Sequence, residues 1–325
     1  MTKVYVSAGS GIVGYGIMKC LRSGASDVHI VTSSVHEASV APKYADIFQV
    51  APMTTDESYL PWLMSLIRSH SIDIIIPGIE ADLYSWTDSA DVLAELSTKS
   101  VLNNATLVNL CRDKWTFFQY ISQFNLCSTI STSIPTNYQS LSSAFGDRMV
   151  LKPRRGFGSK GVCKVTSKRE FDQCMEMATS PLIVQPYIGD DGHEYTVSVF
   201  GDGLGNFTAG IALRRQLSLE GFTSMAEVVP MTMFEVPVRE LCKVLNPIGP
   251  TNFQFRIGGA GPMLLEVNPR ISSSTSLRAA FGYNEAKMCI DYYLHNQLPS
   301  QPLIRSGRAI RYSEDYVTYD DSIHI

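Results

Sequence analysis

Thr251-Asn252-Phe253-Gln254-Phe255 is followed, after Gly258-Gly259-Ala260-Gly261-Pro262, by Leu264-Leu265-Glu266-Val267-Asn268-Pro269-Arg270. Two runs that alternate apolar with polar residues across a glycine-rich turn read as an antiparallel hairpin. If residues 258–262 form the loop, Ile257 opposes Met263, Gln254 opposes Glu266 and Asn252 opposes Asn268. The period of two then puts these four polar residues on one face and Phe253, Phe255, Leu265 and Val267 on the other, which is a core face. A carboxylate beside neutral side-chain carbonyls, with no His or Cys, suits Mg²⁺, with Mn²⁺ as its nearest substitute. Mg²⁺ takes one or two carboxylates and completes its octahedron with water and phosphate oxygens. The same pattern describes a hairpin with an ordinary solvated face, so the rest of the chain has to decide.

The chain has 325 residues. At roughly 100 to 200 residues per domain this allows two or three compact units. Hydrophobic residues make up 45%, charged residues 18%, and the formal net charge is -4. Those values argue against a disordered chain and against an electrostatic nucleic-acid binder. Cysteines at 20, 111, 127, 163, 174, 242 and 289 include no C-x-x-C pair, which disfavours a disulfide framework or a zinc site. No apolar stretch reaches the roughly 18 residues that span a bilayer, and the N-terminus runs through Met-Thr-Lys into a β-rich segment. A soluble cytoplasmic protein is expected, with no membrane or nucleic-acid partner. A homodimer is the default if it assembles.

Residues 3–8, 28–31, 47–50 and 72–77 are β-rich, with helical patterns after Gly14, at about 57–70 and at 81–96. Strands alternating with helices predict a parallel α/β sheet, closed off near residue 105 by the polar break Asn103-Asn104-Ala105-Thr106. Gly9, Gly11 and Gly14 spell G-x-G-x-x-G after the first strand, which invites an NAD-dependent oxidoreductase. A nicotinamide site wants an acidic residue about 20 positions on, at the end of the second strand. That strand ends Val31-Thr32-Ser33-Ser34, and Asp27 precedes it. A tight turn is the better reading.

A helix is predicted over 106–124, then a linker over 128–137, then the apolar strand Arg148-Met149-Val150-Leu151 ending on Lys152. The loop Arg154-Arg155-Gly156-Phe157-Gly158-Ser159-Lys160-Gly161 leads into another strand, Val162-Cys163-Lys164-Val165. Glycines that expose backbone N–H groups, with cations beside them, fit a phosphate-covering flap, and they also fit a basic surface hairpin. The loop lacks G-x-x-x-x-G-K-[ST], so it is no Walker loop. Further on come a helix at 168–178, the strand Leu182-Ile183-Val184-Gln185, the segment Pro186-Tyr187-Ile188-Gly189, and the strand Glu194 to Phe200. Taken alone, Glu194 reads more simply as a solvated strand-end carboxylate.

In this order, Lys114, Lys152 before a glycine loop, Gln185 to Ile188, Glu194, Gln254 and Glu266-Val267-Asn268-Pro269-Arg270 resemble the ATP-grasp superfamily. Within it the chain looks most like one synthetase unit of the carbamoyl-phosphate synthetase large subunit and its stand-alone carboxylate–amine ligase relatives, over residues 3 to 290. The resemblance implies an α/β and α+β architecture. A Rossmann-like parallel-sheet lobe at 1–105 would precede an ATP-grasp fold of two α+β subdomains: 106–188, with a nucleotide-covering part at about 128–188, and 189–325, with the metal site.

By the same resemblance Lys114 and Lys152 would contact phosphates, and Gly158, Ser159 and Gly161 would close over the triphosphate. Gln185, Tyr187 and Ile188 would edge the adenine, and Glu194 would accept from the ribose. Gln254, Glu266 and Asn268 would hold Mg²⁺. Arg270 would stabilise the transferred phosphoryl and the acyl intermediate. Of the neighbours Arg214 and Arg215 only one can face the cleft, and Arg214 is expected to do so. Glu80 and Asp82, as well as Ser272 to Arg278, would shape specificity; Glu80 and Asp82 could bind an ammonium group or be a solvated loop pair.

Glutamine at 254, where the family often has a second acidic ligand, departs from the pattern toward the carbamoyl-phosphate synthetase variant and leaves two-metal binding in doubt. One grasp unit with no further modules fits neither carbamoyl phosphate synthesis nor a biotin carboxylase. The implied activity is ATP- and Mg²⁺-dependent joining of a small-molecule carboxylate to an amine through an acyl phosphate. A nucleotide-binding regulator without turnover is the alternative.

Overall fold

The computed structural model describes residues 1–24, 27–156, 160–190, 192, 194–218 and 221–318. Strands β1 (Thr2–Val6), β2 (Val28–Ser34), β3 (Ile47–Val50), β4 (Ile74–Ile76) and β5 (Lys99–Ser100) form a parallel sheet in the order β3-β2-β1-β4-β5. Such strands are buried on both faces, which is why Ile74-Ile75-Ile76 can be uniformly apolar. Helices Ile12–Gly24, Tyr59–His70, Glu80–Asp88 and Ala90–Ala94 lie in the connections, except between β2 and β3, which are joined through the short 3-10 turn Ala41–Lys43. The glycine fingerprint is a packing device here. A β-carbon on Gly14 would lie 2.3 Å from the Ala8 carbonyl oxygen, and one on Gly78 2.0 Å from that of Ser7. Only glycine lets the first helix and the turn after β4 close against the end of β1.

Strands β6 (Met149–Pro153), β7 (Cys163–Val165) and β8 (Leu182–Pro186) form a small antiparallel sheet in the order β7-β6-β8. Its own core contains Leu141, Met149, Leu151, Phe171 and Val184. Strands β9 (Glu194–Asp202), β10 (Phe207–Leu217), β11 (Thr223–Val229), β12 (Ile248–Gly258), β13 (Gly261–Asn268) and β14 (Arg308–Ile310) form a six-stranded antiparallel sheet in the order β13-β12-β9-β10-β11-β14. One of its faces packs Phe253, Phe255, Tyr195 and Val197 against Phe117, Phe234 and Leu241.

One face of the parallel sheet has a core of its own, around Tyr5, Val31, Leu63, Ile75 and Trp86; the other face does not. Val4, Ile17, Met18 and Leu21 share one cluster with Phe200, Ile211, Phe281 and Ile290. Asn284 Nδ2 donates to the Cys20 carbonyl over 2.9 Å across that junction. At roughly 1.5–3 kcal/mol per fully buried large aliphatic or aromatic side chain, such a shared cluster holds the two sheets as one body.

Two expectations need correction. The helix expected over 106–124 is two helices, Ala105–Cys111 and Lys114–Ser122. Asp113 separates them because its Oδ1 accepts from the Trp115 and Thr116 N–H groups at 2.9 and 3.3 Å, capping the second helix. In the hairpin, Gln254 does oppose Glu266 and Asn252 does oppose Asn268, but Ile257 opposes Pro262 rather than Met263. The turn is tighter than expected, with Gly258 paired to Gly261, and a β-bulge near Leu265 restores the register. Leu264 therefore takes the buried place opposite Phe255 that Leu265 was expected to fill. No helix among the described residues is long and apolar enough to cross a membrane.

Candidate active site

A cleft of about 720 Å³ lies between the small sheet and the polar face of the large one. Lys114, Lys152, Gln185, Tyr187, Ile188, Glu194, Gln254 and Glu266 all line it, although they come from six separate stretches of chain. Lys114 is the first residue of its helix, set there by the Asp113 cap. Asp113 also accepts from Arg154 Nη2 at 2.8 Å, so one carboxylate anchors both the helix and the start of the glycine loop. Lys114 Nζ donates to the Gly156 carbonyl at 2.8 Å and sits 3.6 Å from Glu266 Oε1. Lys152, next to last in β6, reaches across the cleft to the Leu265 carbonyl at 3.1 Å. Burial pushes its ammonium down to about 8, and the Lys114 charge adds to this, while Glu266 and Glu194 pull it back up.

Glu194 is not a solvated strand end. It is buried, its Oε1 accepting from Arg215 Nη2 at 2.6 Å and its Oε2 from Arg256 Nη2 at 3.4 Å. Strand register explains this, since Arg256, Glu194 and Arg215 stand directly opposite one another on β12, β9 and β10. The choice of Arg214 is corrected by the same alternation. Arg214 points to the other face and pairs with Glu227 at 2.5 Å in solvent, whereas Arg215 faces the cleft and also donates to Gln254 Oε1 at 2.9 Å. Which of two adjacent residues faces the cleft depends on register with β9, and β10 alone does not contain that information.

Gln185 is buried with Nε2 donating to Thr132 Oγ1 at 2.7 Å, so its side chain braces the strand. The Tyr187 ring has Arg148, Arg256 and Lys164 at 4.5, 5.0 and 5.6 Å from its centroid, a cationic surround at this end of the cleft. Gly161 has φ +72°, a conformation that favours glycine. Gly158 and Ser159 lie outside the described residues.

Asn268 follows Glu266 on the same face of β13 and is buried. Arg270 Nη2 pairs with Glu80 Oε1 at 2.7 Å, joining the end of β13 to the first turn of helix Glu80–Asp88. Glu80 and Asp82 are therefore not a loop pair. Asp82 is buried, accepting from Thr54 Oγ1 at 2.6 Å and Tyr59 Oη at 2.7 Å, and burial raises its carboxyl above the usual range. It is part of the core and not an ammonium site. Arg278 is likewise internal, pairing with Glu285 at 2.7 Å and donating to Thr196, Ser272 and Asn252.

Glu266 supplies a carboxylate and Asn268 an amide carbonyl, a donor set that fits Mg²⁺. Among the described residues no three His, Cys, Asp or Glu side chains cluster as ligands. An ion here would complete its shell with phosphate and water oxygens, which the surrounding cations fit.

The ATP-grasp domain model matches residues 111–274. The carbamoyl phosphate synthase large chains of Thermotoga neapolitana and Thermotoga maritima are each 22% identical to this chain over 94% of its length. The chain spans 30% of the length of those relatives. Among solved structures, biotin carboxylase from Campylobacter jejuni superposes with a TM-score of 0.73 at 17% identity, covering 94% of this chain and 74% of that one. N5-carboxyaminoimidazole synthetase from Staphylococcus aureus, complexed with ADP, gives 0.69 at 16% identity, covering 93% and 80%. With the domain matched over half of its length and the fold shared nearly end to end, the chain belongs to the ATP-grasp family.

Proposed function

We propose that this chain is an ATP- and Mg²⁺-dependent carboxylate–amine ligase acting on small molecules. The observation that carries the reading is the convergence of Lys114, Lys152 and Arg215 with Glu266 in one cleft. Three cations lining one cleft suit a polyphosphate, and a carboxylate among them suits the metal that accompanies it. In this reading the segment 128–188 covers the nucleotide.

Lys114 and Lys152 hold the phosphates as mobile point charges, and the fixed Arg215 guanidinium donates beside them. The substrate carboxylate attacks the γ-phosphorus; the bond from that phosphorus to the β,γ-bridging oxygen breaks, and ADP leaves. The resulting acyl phosphate is attacked by the amine, whose surplus proton passes to solvent as phosphate departs. Bound Mg²⁺ would withdraw charge from the phosphate oxygens. Arg270 adjoins the metal residues, and when it leaves Glu80 its guanidinium can meet the charge that develops on the acyl phosphate. The chain's task is positioning and charge neutralisation, because phosphoryl transfer needs little covalent help from side chains.

The test is ADP release with Mg²⁺-ATP across a panel of amino acids, sugar acids and bicarbonate, each with and without amines. An acid-dependent and amine-stimulated rate is expected. ATP binding with no stimulation by any pair would instead favour the regulator.

A further inference from the structure

We infer that the site holds one divalent ion with its nucleotide, the guanidinium of Arg215 standing where a second would sit; this rests on the ligase reading above. Gln254 and Glu266 are direct cross-strand partners, so an ion bound between β12 and β13 would need an oxygen from each. The Gln254 oxygen is engaged. Arg215 Nη2 donates to it at 2.9 Å and to Glu194 Oε1 at 2.6 Å. Because guanidinium only donates, the amide must present its oxygen to Arg215, which fixes its orientation.

Arg215 is not free to withdraw. Its side chain is 7% exposed, held on β10 opposite Glu194, and an arginine cannot shed its proton to make room for a dication. A second ion on the Gln254 oxygen would meet that fixed charge at close range, with no carboxylate among the described lining residues left to offset it. Glu194 is already shared between Arg215 and Arg256, and Glu266 has Lys114 at 3.6 Å. These are the two carboxylates among the described lining residues, against the cations Lys114, Lys152, Lys160, Lys164, Arg215 and Arg256. Side chains thus supply the positive charge that a second metal would bring. Arg215 Nε is buried without a hydrogen-bond partner among the described residues, a donor that a phosphate oxygen can use. The one ion that remains falls to Glu266 and Asn268.

The test counts ions rather than turnover. Mn²⁺ is titrated into the chain saturated with the β,γ-imido analogue of ATP, and bound Mn²⁺ is measured by electron paramagnetic resonance. One ion per bound analogue is expected for the natural sequence. The double variant Arg215→Met, Gln254→Glu removes the competing cation, adds a carboxylate, and should take two. Two ions in the natural sequence overturn the inference, as does a double variant that binds the analogue with one. If the natural sequence binds no analogue at all, the ligase reading falls with it.

Discussion

Lys152 Nζ donates to the carbonyl oxygen of Leu265 over 3.1 Å, a bond that crosses from the small sheet to the hairpin of the large one. Leu265 lies at the register shift between β12 and β13, on the edge strand of its sheet, where its carbonyl meets the small sheet. The ammonium is thereby held beside Glu266 without being neutralised by it.

That placement makes nucleotide binding dependent on pH. Lys152 titrates at about 8 in the free protein, lowered chiefly by burial, and phosphate favours its charged form. Affinity for the β,γ-imido analogue should be constant below about pH 7 and fall about tenfold between pH 7 and 9, as a calorimetric titration would show. Lys152→Arg should flatten the profile.

The same lysine weighs on stability. Its folded value lies below the ordinary lysine value of about 10.4, so the unfolded chain binds the extra proton between about pH 8 and 10 and unliganded stability rises through that window. Lys152→Met should therefore raise the melting temperature at pH 7 while ADP release disappears. A lower melting temperature would contradict the assignment.

Glu266→Ala should leave nucleotide affinity the same with and without Mg²⁺, because the one carboxylate assigned to the ion is gone. Full Mg²⁺ stimulation of binding in this variant would refute the assignment.

The two adjacent arginines should separate cleanly. Arg214→Ala breaks an exposed pair and should cost at most about 1 kcal/mol in denaturant unfolding, with ADP release nearly unchanged. Arg215→Ala uncovers the buried Glu194 and removes a phosphate donor, so ADP release should fall on the order of 100-fold.

Arg278 and Glu285 are each fully buried and paired at 2.7 Å. Arg278→Met leaves an uncompensated buried carboxylate and should cost about 3–5 kcal/mol by urea unfolding. Adding Glu285→Met should recover much of that loss. The coupling between the two changes would show that the pair, rather than packing alone, carries the effect.

Local pattern alone determined the alternation of strands and helices before residue 105, the hairpin at 251–270, and which polar residues share its face. Periodicity is a property of consecutive residues, and a buried face enforces it, so it can be read without knowing the neighbours. The cation order around the glycine loop was legible for the same reason.

Tertiary structure decided the rest. Whether Arg214 or Arg215 faces the cleft turned on the pairing of β10 with β9. The polar Asp82 looked like a ligand until its partners Thr54 and Tyr59, from an earlier part of the chain, surrounded it. Glu80 looked free until Arg270, 190 residues later, closed on it. Charge alone does not say whether a side chain binds a ligand or a neighbour. That depends on which distant groups desolvate and pair with it, and only the folded chain brings those groups together.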